Sequence, residues 1–205
     1  QHLALQGYRV LAIDLDPQAS LSTLFGHQPE LDVGENETIY GAIRYEADRR
    51  EMPEIVRGTY IPNLHIVPGQ LELMEFEHQT PRHMMSNKGR PEDLFFRRVA
   101  GAIAEIDDDF DVVVIDCPPQ LGFLTMGALN AATGMVVTIH PQMVDVASMS
   151  QFLLMTRDLL GVVRSFGGEL KYDFVRYLLT RFEPQDAPQT KVAALLRNMF
   201  DDFVL

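Results

Sequence analysis

Cysteine occurs once, at Cys117, and tryptophan not at all, so no disulfide can close within the chain and packing alone must hold the fold. Lysine is almost missing: of 17 basic residues only Lys88, Lys171 and Lys191 are lysines. Set against 29 acidic residues this leaves a net charge of −12, which excludes nucleic-acid binding through the overall field and leaves room only for a local basic patch. Charge or proline interrupts the apolar stretches before they reach bilayer length, and no basic, then apolar, then small-residue pattern opens the chain. The expected setting is therefore the cytoplasm, with no membrane partner. The six histidines (His2, His27, His65, His78, His83 and His140) show neither an HExxH motif nor any paired metal-ligand spacing. There is no repeat, linker or low-complexity tract, and 205 residues at 46% hydrophobic content fit one domain over 1–205.

What is present is a set of short apolar runs that end in acid. Val112 to Pro119 reads VVVIDCPP, a β-branched run typical of a buried parallel strand, and it delivers Asp116 to a sheet edge. A second run, Arg9 to Asp14, leads into DLDPQ, where Asp14 and Asp16 stand at positions i and i+2 and Pro17 ends the strand. In an extended segment that spacing sends both carboxylates the same way. A strand that ends in Asp is also an ordinary way to begin a turn, so each acid taken singly has a plain structural reading.

Strands and helices alternate along the rest of the chain. HLALQG reads as a closing helix stopped by Gly7, and ASLSTLFG as a short helix stopped by Gly26. Residues 28–37 read as polar loop, Thr38 as the cap of IYGAIRYE, residues 48–62 as weakly patterned, and 64–67 as a strand closed by Pro68 and Gly69. Helices are expected over 71–85 and 93–106, with the turn SNKGRPE between them, and a further helix near 123–132. A strand over 135–140, a long helix over 145–166, a strand over 174–180 and a helix over 190–203 complete the chain. This order specifies a doubly wound, mostly parallel α/β sheet with flanking helices.

DLDPQ and IDCPP, in that order, resemble the ParA family of deviant Walker-type partition ATPases, whose fold is of the P-loop NTPase type. The segment Gly122 to Phe152 is similar to the plasmid-encoded members, especially the RepA partition proteins of repABC replicons. The resemblance implies ATP and Mg²⁺ as cofactors. It implies that Asp116 holds Mg²⁺ through a water, that Asp16 positions the attacking water and that Asp14 braces the metal shell. By the same resemblance Thr180 and Arg181 border the adenine. Gln18 reads either as a contact to the nucleotide or a dimer partner or as a plain turn residue, and Pro118 and Pro119 end the strand and stiffen its exit, which suits a loop that senses the γ-phosphate. An ATP-dependent homodimer, non-specific DNA and a centromere-binding partner of the ParB or RepB type are the implied associations.

The family's KGGxxKT-type P-loop would lie a short helix upstream of Tyr8, whereas the chain opens at Gln1 without a methionine. The expectation is a partial domain lacking its first strand and P-loop, and inactive alone. Other readings stay open. A MinD-type ATPase would need an amphipathic membrane helix at its C-terminus. A non-hydrolysing, ATP-responsive autorepressor would be marked by a substituted P-loop lysine. A receiver-like acidic pocket would need a lysine at a strand end, and none stands there. Cys117 reads as a small buried residue, and the pairs Arg49–Arg50 and Arg97–Arg98 as solvated helix faces.

Overall fold

The computed structural model describes residues 1–86, 94–165 and 171–205. Where composition suggests one domain, the chain forms two compact units, 1–131 and 132–205.

The first unit opens with one helical turn, α1 (His2–Leu5), and Gly7 then takes a φ of +98°, a conformation that costs a residue without Cβ little. The chain enters β1 (Val10–Asp14), all five residues of which are buried. Three short helices follow, α2 (Ser20–Leu24), α3 (Pro29–Asp32) and α4 (Ile39–Ile43), then α5 (Met52–Ile55). The strands β2 (Arg57–Gly58) and β3 (Leu64–Val67) precede α6 (Leu73–Ser86). After a 3₁₀ turn at Phe95–Arg97 come α7 (Arg98–Ala104), β4 (Val112–Asp116) and α8 (Phe123–Ala131). The sheet order is β2-β3-β1-β4, with β3, β1 and β4 parallel and β2 an antiparallel edge.

Because side chains alternate along β1, its two faces join different layers. Val10 and Ala12 pack with Ala4, Phe25, Ile61, Leu64 and Ile66, and Leu21 of α2 closes that layer. Leu11 and Ile13 are fully buried on the opposite face. Burial of side chains of this size stabilises the fold by about 1.5–3 kcal/mol each. Helices α7 and α8 approach closely at Gly127, where a Cβ would stand 2.9 Å from Cγ2 of Val99.

Several expectations shift. The polar loop over 28–37 contains α3, started by Pro29 at its first position, and the weakly patterned 48–62 holds α5 and β2. Thr38 caps α4 by accepting from the Tyr40 amide, and its hydroxyl donates to Glu72. Strand β4 is less buried than its β-branched run suggests: it is the last strand of its sheet, and Val114 is 49% exposed. Of the turn SNKGRPE only Ser86 lies among the described residues, and Asp93 and Phe166 also fall outside them.

The second unit pairs β5 (Gly134–Ile139) with β6 (Phe174–Leu179) in parallel, with α9 (Met143–Ser165) and α10 (Ala187–Phe200). Ile139, Met149, Tyr177, Val192 and Leu196 form its core. By length and mean hydropathy, 1.2 over Val146–Ser165, α9 would pass for a membrane span. Arg157 and Asp158 interrupt that segment as an ion pair, and Met149 and Leu153 pack into the unit's own core.

The starts of β1 and β4 are joined by an exposed clamp. The Arg9 guanidinium meets the Asp111 carboxylate at 2.7 Å, and the Arg9 amide donates to the same carboxylate at 2.8 Å. The side-chain hydrogen bond from Arg9 lowers the Asp111 pKa below its ordinary 3.8. A carboxylate with a depressed folded-state pKa contributes stability that is present above its unfolded value and disappears as pH falls through the folded one. Asp111→Asn should therefore be less stable than the wild type at neutral pH, and the difference should close below pH 3.8. Urea denaturation across pH 2.5–7 checks this, and a gap that persists at the acid end would assign the effect to something other than the charge.

Candidate functional site

The site grows from the register of two strands. Asp14 and Asp116 are direct partners across the β1–β4 pair, so their Cα atoms stand about 4.8 Å apart, the spacing of neighbouring strands. The pairing continues one residue further, with the Leu15 amide donating to the Asp116 carbonyl at 2.9 Å.

The two acids then differ in environment. Asp14 is completely buried. Its Oδ2 accepts from the Ser22 amide and the Ser22 hydroxyl, both at 2.7 Å, and its Oδ1 accepts from the Asp16 amide at 3.2 Å. Asp116 is exposed at the strand end, and no described residue donates to its carboxylate. Burial raises the Asp14 pKa, opposed by the Ser22 hydrogen bonds, and the Asp16 charge adds to the rise. For Asp116 the enclosing protein comes first, followed by the charges of Asp14 and Asp16. Three carboxylates thus share one edge, and among the described residues no basic side chain bonds to any of them.

Asp16 sits on the turn that leads from β1 into α2. Its Oδ1 accepts from the Gln18 amide at 2.9 Å, an Asx-type closure that Pro17 favours by fixing its own φ. Ala19 follows with a φ of +52° and brings α2 back across the strand end. Gln18 is exposed and lines a cleft of about 190 Å³ with Pro17, Thr23, Leu31 and Gln70. On the loop after β4, Pro118 is buried and Pro119 exposed. The structure therefore brings Asp14, Asp16, Gln18, Asp116 and Pro118 to one edge of the first unit's sheet. Thr180 and Arg181 lie in the second unit, just after β6. There the Thr180 amide bonds to the Ile139 carbonyl at 2.9 Å, and Arg181 is exposed with a φ of +52°.

Cys117 is a correction: it is exposed, not buried. The protein mass around its sulfur, and then the Asp116 charge, push the thiol up to about 12, so it is protonated at neutral pH and a poor nucleophile.

Among the described residues no three His, Cys, Asp or Glu side chains are grouped closely enough to cage a metal. Mg²⁺ still fits this edge in its usual manner, which is one or two carboxylates completed by water and phosphate oxygens. Asp116, to whose carboxylate no described residue donates, has the chemistry to hold it.

Two supporting features leave little trace in sequence. Ser22 Oγ, besides donating to Asp14, accepts from the Gly69 amide at 3.0 Å. Glu77 of α6 accepts from the Phe123 and Leu124 amides, both at 2.9 Å, and so caps α8 from another helix. The one available signal is negative: no Ser, Thr, Asp or Asn stands immediately before Phe123, so the first amides of α8 need an outside acceptor. Glu77→Ala should destabilise the fold by about 1–2 kcal/mol, the range of a lost helix cap, in chemical denaturation. An unchanged midpoint would mean that water replaces the cap without cost.

A family model described as an AAA domain matches residues 1–164. The whole chain is 59% identical to a putative replication protein A of Rhizobium rhizogenes and covers 50% of it. Over 68% of its length it is 28% identical to the chromosome-partitioning ATPase Soj of Treponema pallidum (strain Nichols), covering 48% of that protein. The chain thus spans about half the length of the curated relatives it matches. Among solved structures, cobyrinic acid a,c-diamide synthase of Mycobacterium smegmatis, with bound ATP analog and magnesium, is similar at a TM-score of 0.77 and 26% identity, over 97% of this chain and 73% of that one. With most of its length matched, the chain belongs to the AAA domain family and has the P-loop NTPase type of α/β fold that DLDPQ and IDCPP imply.

Proposed function

We propose that the intact protein is a partition ATPase that hydrolyses ATP to control its own dimerisation and its association with DNA. The observation that carries this reading is the register of Asp14 with Asp116, with Asp16 on the adjoining turn, at the C-terminal edge of a parallel sheet. Open α/β sheets bind their ligands at that edge. The kinship with a chromosome-partitioning ATPase and with a structure that holds an ATP analog and magnesium supports it.

Phosphoryl transfer to water asks for a cradle of phosphate donors, a metal and a group that aims the water. Asp116 would hold Mg²⁺ through a water, and the bound ion would neutralise charge on the phosphate oxygens. Asp16, only partly buried, would accept a hydrogen bond from the attacking water and direct its lone pair. Asp14, sunk beneath the turn, would brace the metal shell by holding the Asp16 amide. Pro118 and Pro119 would hold the loop after β4 stiff, and Gln18 would contact nucleotide or the second subunit. Thr180 and Arg181 would border the base. The phosphate donors would come from a glycine-rich, lysine-bearing loop of the intact protein, a sequence that these 205 residues do not contain. The remaining steps of the cycle, a centromere-binding partner of the ParB type that stimulates hydrolysis and a site of action on cytoplasmic DNA, belong to the same proposal.

In the intact protein, Asp16→Ala should keep Mg-ATP binding within about threefold while turnover falls by about 100-fold or more, the loss expected of a group that acts on the water and not on the phosphates. Parallel calorimetry and phosphate-release assays decide it, and full turnover in this variant would remove Asp16 from the mechanism. The DNA step has its own check. These 205 residues carry a net charge of −12, and the proposed reading has arginines from two subunits meet the phosphates, so binding of the intact protein to unrelated duplexes should require ATP and weaken as salt rises. Nucleotide-independent binding in a mobility-shift assay would contradict the coupling.

A further inference from the structure

The acid turn is held from beneath by a buried chain of hydrogen bonds. The Gly69 amide donates to Ser22 Oγ at 3.0 Å, Ser22 Oγ and the Ser22 amide each donate to Asp14 Oδ2 at 2.7 Å, and Asp14 Oδ1 takes the Asp16 amide at 3.2 Å. Asp16 in turn takes the Gln18 amide at 2.9 Å. The order matters chemically. A serine hydroxyl has one proton, and here it goes to Asp14, while a lone pair is free to accept from Gly69. The amide of a third segment, the loop after β3, therefore fixes which way the Ser22 hydroxyl points.

Packing constrains the same atoms from the other side. A Cβ on Gly69 would stand 2.6 Å from the Asp14 carbonyl oxygen and 3.0 Å from the Asp16 carbonyl oxygen, so the loop after β3 lies directly against the backbone of the turn. Ser22 and Gly69 are both buried. Water cannot readily replace a missing partner there, and a buried acceptor that loses its donors keeps the full cost of its desolvation.

We propose that Ser22, oriented by the Gly69 amide, is a positioning residue for the hydrolytic step: it holds the buried Asp14 carboxylate, and through the Asp14–Asp16 bond it sets where Asp16 points. Ser22 does not touch nucleotide or metal in this arrangement. Its effect reaches the reaction only through Asp16, so it governs how well water is aimed and leaves nucleotide affinity alone. The inference rests on the ATPase reading of the same edge.

In the intact protein, Ser22→Ala should lower kcat by about tenfold or more while KM for Mg-ATP stays within about threefold. Ser22→Thr, which keeps the hydroxyl, should recover most of the loss. In an Asp16→Ala background the same Ser22→Ala change should cost nothing further, because two residues that act as one unit are not additive. A readout without nucleotide runs alongside: the Asp16 and Gly69 amides should exchange with solvent faster in Ser22→Ala than in the wild type. If Ser22→Ala does not fold, Gly69→Ala displaces the turn from the opposite side, and the same kcat, KM and background criteria apply to it. Wild-type kcat in the folded variant, a full additional loss in the Asp16→Ala background, or unchanged amide exchange overturns the proposal. Wild-type intact protein that shows no Mg-ATP turnover at all overturns the ATPase reading, and this inference with it.

Discussion

The rest of the site depends on the parallel register that sets Asp14 beside Asp116. Two carboxylates about 4.8 Å apart at the backbone repel, and burying one of them adds a desolvation cost that a protein ordinarily avoids. This chain meets that cost in two unequal ways. Asp14 is given three donors and no solvent, whereas Asp116 stands exposed at the strand end and, among the described residues, receives no donor. The pair thereby separates into an acid that serves the fold and an acid left available to a cation. Asp16, on the turn between them and α2, carries the third charge into the same field.

Much of the first unit could be read from the chain. Gly7 and Gly26 both take positive φ where the sequence puts helix stops, and Thr38 makes the cap its position suggests. The strand over 64–67 lies where Pro68 and Gly69 close it. The short elements α3, α5 and β2 escaped because four residues or fewer cannot display a helical or alternating period; tertiary packing of Pro29, Met52 and Ile55 forms them instead. The burial of β4 was overstated for a related reason. A run of β-branched residues reports that a strand suits a sheet, but it carries no information on whether a neighbour covers both of its sides.

The site was legible in its acids and illegible in its support. DLDPQ and IDCPP name the carboxylates, yet nothing in the spacing says that Asp14 points inward and Asp16 outward, since an ideal strand would send both the same way. The difference arises because the strand ends at Asp14 and the turn rotates Asp16 onto its own Asx closure with Gln18. Ser22, Gly69 and Glu77 act at long sequence separation, over 47 positions for the Ser22–Gly69 bond and 46 for Glu77 to Phe123. A polar side chain whose partner is fixed by tertiary structure gives no local signal.

On the proposed reading the ends of β1 and β4 form the metal-bearing edge of a nucleotide site. Mn²⁺ in place of Mg²⁺ tests it most directly, because its unpaired electrons broaden nearby nuclear resonances. With ATP and Mn²⁺ bound to the isotopically labelled intact protein, broadening should centre on Asp116 and Cys117, extend to Asp14 through Gln18 and Gly69, and vanish in Asp116→Ala. Broadening centred away from the β1–β4 edge, or unchanged in that variant, would contradict the account.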